Sequence, residues 1–177
     1  MPLAGQDLSK KEFVKCAFKG CDLSGVKFAG SRLSECVLTD CNLSNMKVNG
    51  SSMQNVIFEG CKLVGIAFNT VNPFLLELAF SKCKIQMCNF SSLKMKRSRF
   101  NECAIHKTDF VEADLSGSDF TGSDLSGSRF QHCVLEKANF TEALHFHIDP
   151  AANRLKGARF SYPEVLTLLD SFGIEVE

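Results

Sequence analysis

The residues of this chain that could carry chemistry are its four histidines and nine cysteines. In the run HFHID, His145, His147 and Asp149 stand at alternate positions. A short strand would present all three on one side, as a metal site requires. The plainer reading makes them the exposed neighbours of inward Leu144, Phe146 and Ile148, and on that reading no metal site is expected. Cys16, Cys21, Cys36, Cys41, Cys61, Cys83, Cys88, Cys103 and Cys133 are odd in number and show no CxxC spacing, which argues against a disulfide or zinc framework. A phosphate-binding glycine loop, a nucleophile motif and paired carboxylates in a recognisable setting are also lacking. No catalytic residue, cofactor or enzymatic activity is therefore expected.

What these residues share is a place in a rhythm. In DFVEADLSGSDFTGSDLSGSRF an apolar side chain falls at every fifth residue, from Phe110 through Leu115, Phe120 and Leu125 to Phe130. The rhythm runs back to Phe80 and on to Phe140, and in an earlier phase from Leu8 to Phe68; all twenty-six central positions are apolar. A helix buries residues three and four apart and a strand buries alternate ones. A period of five fits neither, and points to a repeat architecture.

Segments such as CDLSG, CNLSN, ADLSG and SDLSG carry a small residue two before the centre, Asp or Asn one before it, and Leu at the centre. Over roughly residues 8 to 148 this resembles the pentapeptide-repeat proteins. The resemblance implies an all-β fold, a right-handed quadrilateral β-helix in which each pentapeptide forms one side and four form a coil. The central residue and the one two before it would then point inward. Residues twenty apart should stack at about 4.8 Å. That places Phe80, Phe100, Phe120 and Phe140 in one aromatic wall, and Phe90, Phe110 and Phe130 in the facing one. Each cysteine lies two before a central residue, so all nine would be inward thiols that behave as small hydrophobes. Reduced thiols, with no signal sequence or transmembrane run, lead us to expect a cytoplasmic protein.

The chain reads as a single domain over 1–177, with the repeat over 7–148 and a cap over 149–177. Twelve residues separate Phe68 from Phe80, two more than whole repeats require, so the phase breaks over 69–79. Pro73 within it suits a corner or bulge. The preferred reading is a tolerated corner insertion; the other is a feature shaped for a partner. After Phe140 the rhythm fails at LHFHIDP, and FSYPEVLTLLDSFGIEVE has helical periodicity. Ser161 with Glu164 has capping-box spacing, Pro163 suits a first turn and Gly173 a stop, which predicts a short capping α-helix. Leu166, Leu169 and Phe172 share one face of it, and Ile174 and Val176 follow. That is more apolar surface than one coil can cover, so a homodimer through these five residues is expected.

Charge bears on partners. The chain is formally neutral, yet residues 69–108 carry seven basic and two acidic residues, while 109–177 carry five basic and twelve acidic. Stacking by twenty sets Lys82 over Glu102, Lys94 over Asp114, Arg99 over Asp119 and Asp109 over Arg129, which reads as charge ladders rather than a nucleic-acid patch. No stretch interleaves bases with aromatics; neither direct nucleic-acid binding nor membrane association is expected. The carboxyl-terminal segment, with Asp149, Pro150, Asn153 and Arg154, resembles the quinolone-resistance and microcin-immunity subgroup of the family. That resemblance implies a partner, DNA gyrase or another type II topoisomerase, protected from a quinolone or peptide toxin by a protein resembling duplex DNA in shape and negative charge. Glu112, Asp124, Glu136 and Glu142 are the candidate partner-binding acids. The neutral total departs from that subgroup, and the alternative is a scaffold or stress-related interaction module with no topoisomerase contact.

Overall fold

The structure is a computed structural model and describes residues 3–174. The strands are two to four residues long, because a five-residue side leaves no room for more before the chain must turn. Each pairs in parallel with the segment one coil away. Phe13, Leu33 and Met53 are in register on one side. Phe18, Leu38, Phe58, Phe80 and Phe100 are in register on the next, and Leu63, Ile85 and Ile105 on a third. The fourth side is held by single bridges, such as Asn89 to Asp109 to Arg129. The result is the expected quadrilateral β-helix, a parallel solenoid of about seven turns.

The pentapeptide is legible in its bonds. At the central position minus one, an Asp or Asn carboxylate or amide oxygen accepts the backbone N–H two residues on. Asp114 accepts from Ser116 at 3.2 Å and Asp119 from Thr121 at 3.1 Å, and the Ser116 hydroxyl donates to the same oxygen at 2.6 Å. This local turn explains why the sequence repeats DLS and elsewhere has DFT and NFT. At the central position minus two, a small donor reaches the carbonyl of the preceding side's central residue one coil back: Ser118 to Met95 at 3.1 Å, Ser128 to Ile105 at 2.8 Å, Cys61 to Leu38 at 3.2 Å. At plus two the chain turns through left-handed backbone, with φ between 50° and 73° at the glycines and non-glycines that occupy it. At Gly60 a Cβ would in addition crowd the Asp40 carboxylate, which would have to move aside.

The core is a single column of these central residues, from Leu23 to Phe140 almost wholly out of solvent. Both aromatic walls form. Phe58, Phe80, Phe100, Phe120, Phe140 and Phe160 stack with centroids 4.9–5.1 Å apart. Phe68, Phe90, Phe110 and Phe130 do so at 4.6–5.3 Å. Ring planes of the two walls meet nearly edge to face, as between Phe100 and Phe110 at 89°. Offset stacking within a wall and edge contacts between walls are both favourable geometries for aromatic quadrupoles.

The phase break is a two-residue bulge. Ser52 still bridges to Asn72, twenty residues on, but Val56 pairs with Leu78, twenty-two on. The surplus is thrown outward between them, leaving Phe74 and Leu75 72% and 56% exposed. Near the carboxyl end the rhythm slips and recovers. Phe130 bridges to Ile148, then Val134 to Arg154, and Asn139 and Phe140 pair with Arg159 and Phe160. Phe146 and Ile148 are buried as expected, whereas Leu144 is 42% exposed because Ala143 takes the inward place. The closing helix, Glu164–Phe172, is wound as a 3₁₀ helix rather than an α-helix and ends at left-handed Gly173. At nine residues it is longer than the short pieces in which this tighter turn is usually found.

Candidate interaction surface

The four acids singled out in the sequence do not converge. Glu112 turns the corner after Phe110 and Glu136 follows Leu135 on the next side, whereas Glu142 turns the corner after Phe140 and Asp124 precedes Leu125 on the side opposite Leu135. Two of them are already partnered. Glu136 pairs with Arg154 at 2.6 Å. Asp124 accepts from Ser126 and contacts His106 Nε2 at 3.1 Å and His145 Nδ1 at 2.9 Å. Its burial acts to raise the carboxyl, but the donors of Ser126, His145 and His106 outweigh that and hold it well below the usual carboxylate range. Glu142 makes no ion pair among the described residues, and Glu112 accepts only the Ser92 hydroxyl at 3.2 Å.

The histidine run is accounted for in the same way. His145 is turned onto Asp124, whereas His147 and Asp149 line a shallow groove with Thr167 and Asp170 of the closing helix. Among the described residues no group of three or more His, Cys, Asp or Glu side chains is placed to hold a metal. No helix among them is long and apolar enough to cross a membrane.

The charge ladders are partly those expected. Asp109 pairs with Arg129 at 2.6 Å and Lys82 lies 4.0 Å from Glu102. Asp114, however, is met by Lys96 at 3.3 Å, although Lys94 is its register neighbour. Asp119, which bridges to Arg99 through the backbone, is taken by the amides of Asn101 and Asn139 at 2.8 and 3.1 Å. Amides one coil away reach the carboxylate with less side-chain freedom to lose than a guanidinium, and Arg99 is left exposed.

All nine thiols are unbridged. Seven are buried, while Cys16 and Cys21 at the amino-terminal end are half-buried. Because the bulge adds two residues, Cys61 stands over Cys83, so Cys21, Cys41, Cys61, Cys83 and Cys103 form one column of five, a continuity that reading by twenty hides. Burial pushes the Cys41 and Cys88 thiols up to about 11, and the neighbouring Cys103 sulfur pushes Cys83 up to about 12. Thiols so held stay protonated near neutral pH and are poor nucleophiles.

Of the five residues placed in a dimer contact, Leu166 and Leu169 are partly buried in the closing helix, and Phe172 and Ile174 are 55% and 52% exposed. Val176 lies outside the described residues. Leu168 is the helix residue that packs against the core.

A family model described as a pentapeptide repeat region matches residues 11–73 and 72–140. Among solved structures, a trypsin-treated variant of QnrB1, a plasmid-mediated fluoroquinolone resistance protein, is 18% identical with a TM-score of 0.73, covering all of both chains. Full-length QnrB1 is 17% identical with a TM-score of 0.58, covering 98% of this chain and 97% of its own. No curated protein sequence matches the chain.

Proposed function

The chain belongs to the pentapeptide-repeat family, and we propose that it is a non-enzymatic binding protein that engages DNA gyrase or a related type II topoisomerase and protects it from a quinolone or a peptide toxin. The observation that carries this reading is likeness over the full length of both chains to a fluoroquinolone resistance protein. The acid-rich stretch of residues 109–177 adds support, since a rigid column with surplus negative charge presents a topoisomerase with features of its duplex substrate. Glu112 and Glu142, the two candidate acids without an ion pair among the described residues, are the ones free to meet a partner's cations; Asp124 and Glu136 act chiefly within the column. The protein would work as a dimer through its closing helix.

Purified protein should inhibit gyrase supercoiling or restore it in the presence of a quinolone. Glu112→Gln with Glu142→Gln should raise the concentration needed by about threefold or more at low salt, where charge contacts are least screened. No effect at micromolar protein would sink the reading. A second reading, a scaffold without topoisomerase contact, is favoured by the formal neutrality of the chain and by the number of acids already committed to neighbouring coils. It expects the inert outcome.

A further inference from the structure

The bulge over 73–77 does more than shift the phase. Beside it, between Gln54–Val56 on one coil and Lys96–Arg99 two coils on, lies a groove of about 550 Å³ lined by Leu75, Leu76 and Leu78. Leu75 and Phe74 also border a second groove, of about 390 Å³, on the amino-terminal side. The two exposed apolar side chains therefore form a ridge between two depressions.

Positive charge also stands uncompensated in this groove. Lys96 is neutralised by Asp114, but neither Arg97 nor Arg99 has an acidic side chain within ion-pair distance among the described residues. The acid that register would assign to Arg99, Asp119, is occupied by amides. Glu77 is the single acid lining the groove. Two free guanidiniums beside an exposed leucine favour carboxylates, which a guanidinium takes bidentately, on a ligand that also carries apolar groups.

The surrounding backbone narrows the ligand further. The strand Ser52–Gln54 meets the next coil through the bridge of Ser52 to Asn72 and, past the bulge, through the Met53 carbonyl, which accepts the Glu77 N–H at 3.1 Å. With that backbone occupied, a ligand is held by its side chains: an extended chain lying between the Gln54–Val56 and Lys96–Arg99 segments directs alternate side chains to the leucines and to the guanidiniums. A nucleic acid fits less well: two free cations release too few counterions for appreciable affinity, and the apolar ridge would be left uncovered.

We propose that this groove is a docking site for an extended acidic segment of a partner protein, with carboxylates and apolar side chains at alternate positions. It goes beyond the topoisomerase reading and does not depend on it. The test is fluorescence anisotropy with a labelled peptide of about eight residues, alternating glutamate and leucine, long enough to cross the groove. Binding should weaken by about tenfold or more in Arg97→Glu/Arg99→Glu, and by several-fold in Phe74→Ser/Leu75→Ser. A lysine–leucine peptide should not bind. Glutamate already occupies the Arg97 type of corner at Glu102 and Glu112, so the charge-reversed protein should keep its fold, which circular dichroism checks. The proposal fails if the glutamate–leucine peptide does not bind at about 1 mM, if charge reversal leaves its affinity unchanged, or if a DNA duplex of similar length binds more tightly. Gyrase inhibition by the wild type is scored separately, so either idea can fail alone.

Discussion

Asp124 shows how much of this protein's acidity is internal architecture. Its oxygens serve Ser126 within the same pentapeptide, His106 one coil back and His145 one coil on. The folded carboxyl is depressed, so its contribution to stability is present above the unfolded value near 3.8 and is lost as pH falls through the folded value. Asp124→Asn should therefore lower stability at pH 7 by about 1–2 kcal/mol, a figure discounted for its partial exposure. The gap from wild type should narrow as pH falls below about 4, where the carboxyl of the unfolded chain begins to protonate while the folded one stays ionised. Urea melts across that range measure it; a gap that stays constant with pH would mean that the carboxylate charge is not what the histidines and Ser126 hold. Asp114 and Asp119 are depressed by the same kind of donors against their own burial, so acid should loosen several coils together.

At the scale of elements, the closing helix is the least satisfied part of the molecule. Its nine residues include none that is fully buried, and an isolated helix of this length is not stable in water. Leu168 holds it to the column, while Phe172 and Ile174 face solvent. A second copy of the same segment would cover them, and a self-complementary patch closes most simply with two-fold symmetry. Sedimentation at tens of micromolar should then give twice the 19.5 kDa chain mass. Phe172→Asp should return it to one chain mass with the β-sheet circular dichroism intact. A wild-type species of one chain mass at that concentration would rule the dimer out. The bulge is the other irregular element, and in both places the irregularity brings apolar side chains to the surface.

At the scale of the whole molecule, stability resides in coil-to-coil interfaces rather than in a compact centre. Phe110 sits midway along one aromatic wall, stacked on Phe90 at 5.3 Å and Phe130 at 4.8 Å, with Phe100 and Phe120 edge-on. Phe110→Ala should cost about 3–5 kcal/mol, because neighbouring coils are held in register and cannot collapse into the cavity. A variant as stable as wild type in urea would contradict the continuous wall. The same dependence on neighbours makes the ends the weakest coils. Phe13 and Phe18 of the first coil are only partly buried, whereas Phe28 of the next is wholly so.

The five-residue period by itself marked a repeat architecture, and the resemblance of its pentapeptides to a known family implied the coil, the inward centres, the two aromatic walls and the inward place of every cysteine. A repeat leaves each residue one kind of neighbour along the column, so local pattern and tertiary contact carry the same information. Where the pattern breaks, that equivalence ends. The extra residues between Phe68 and Phe80 were countable, but only the tertiary structure located them between Asn72 and Leu78, joined Cys61 to Cys83, and exposed Phe74 and Leu75 over a groove. The partners of Lys96, Arg99 and Asp119 were likewise beyond the sequence. Register names which residues are adjacent, but flexible side chains competing for one carboxylate settle by reach and geometry, which exist only once the coils are stacked.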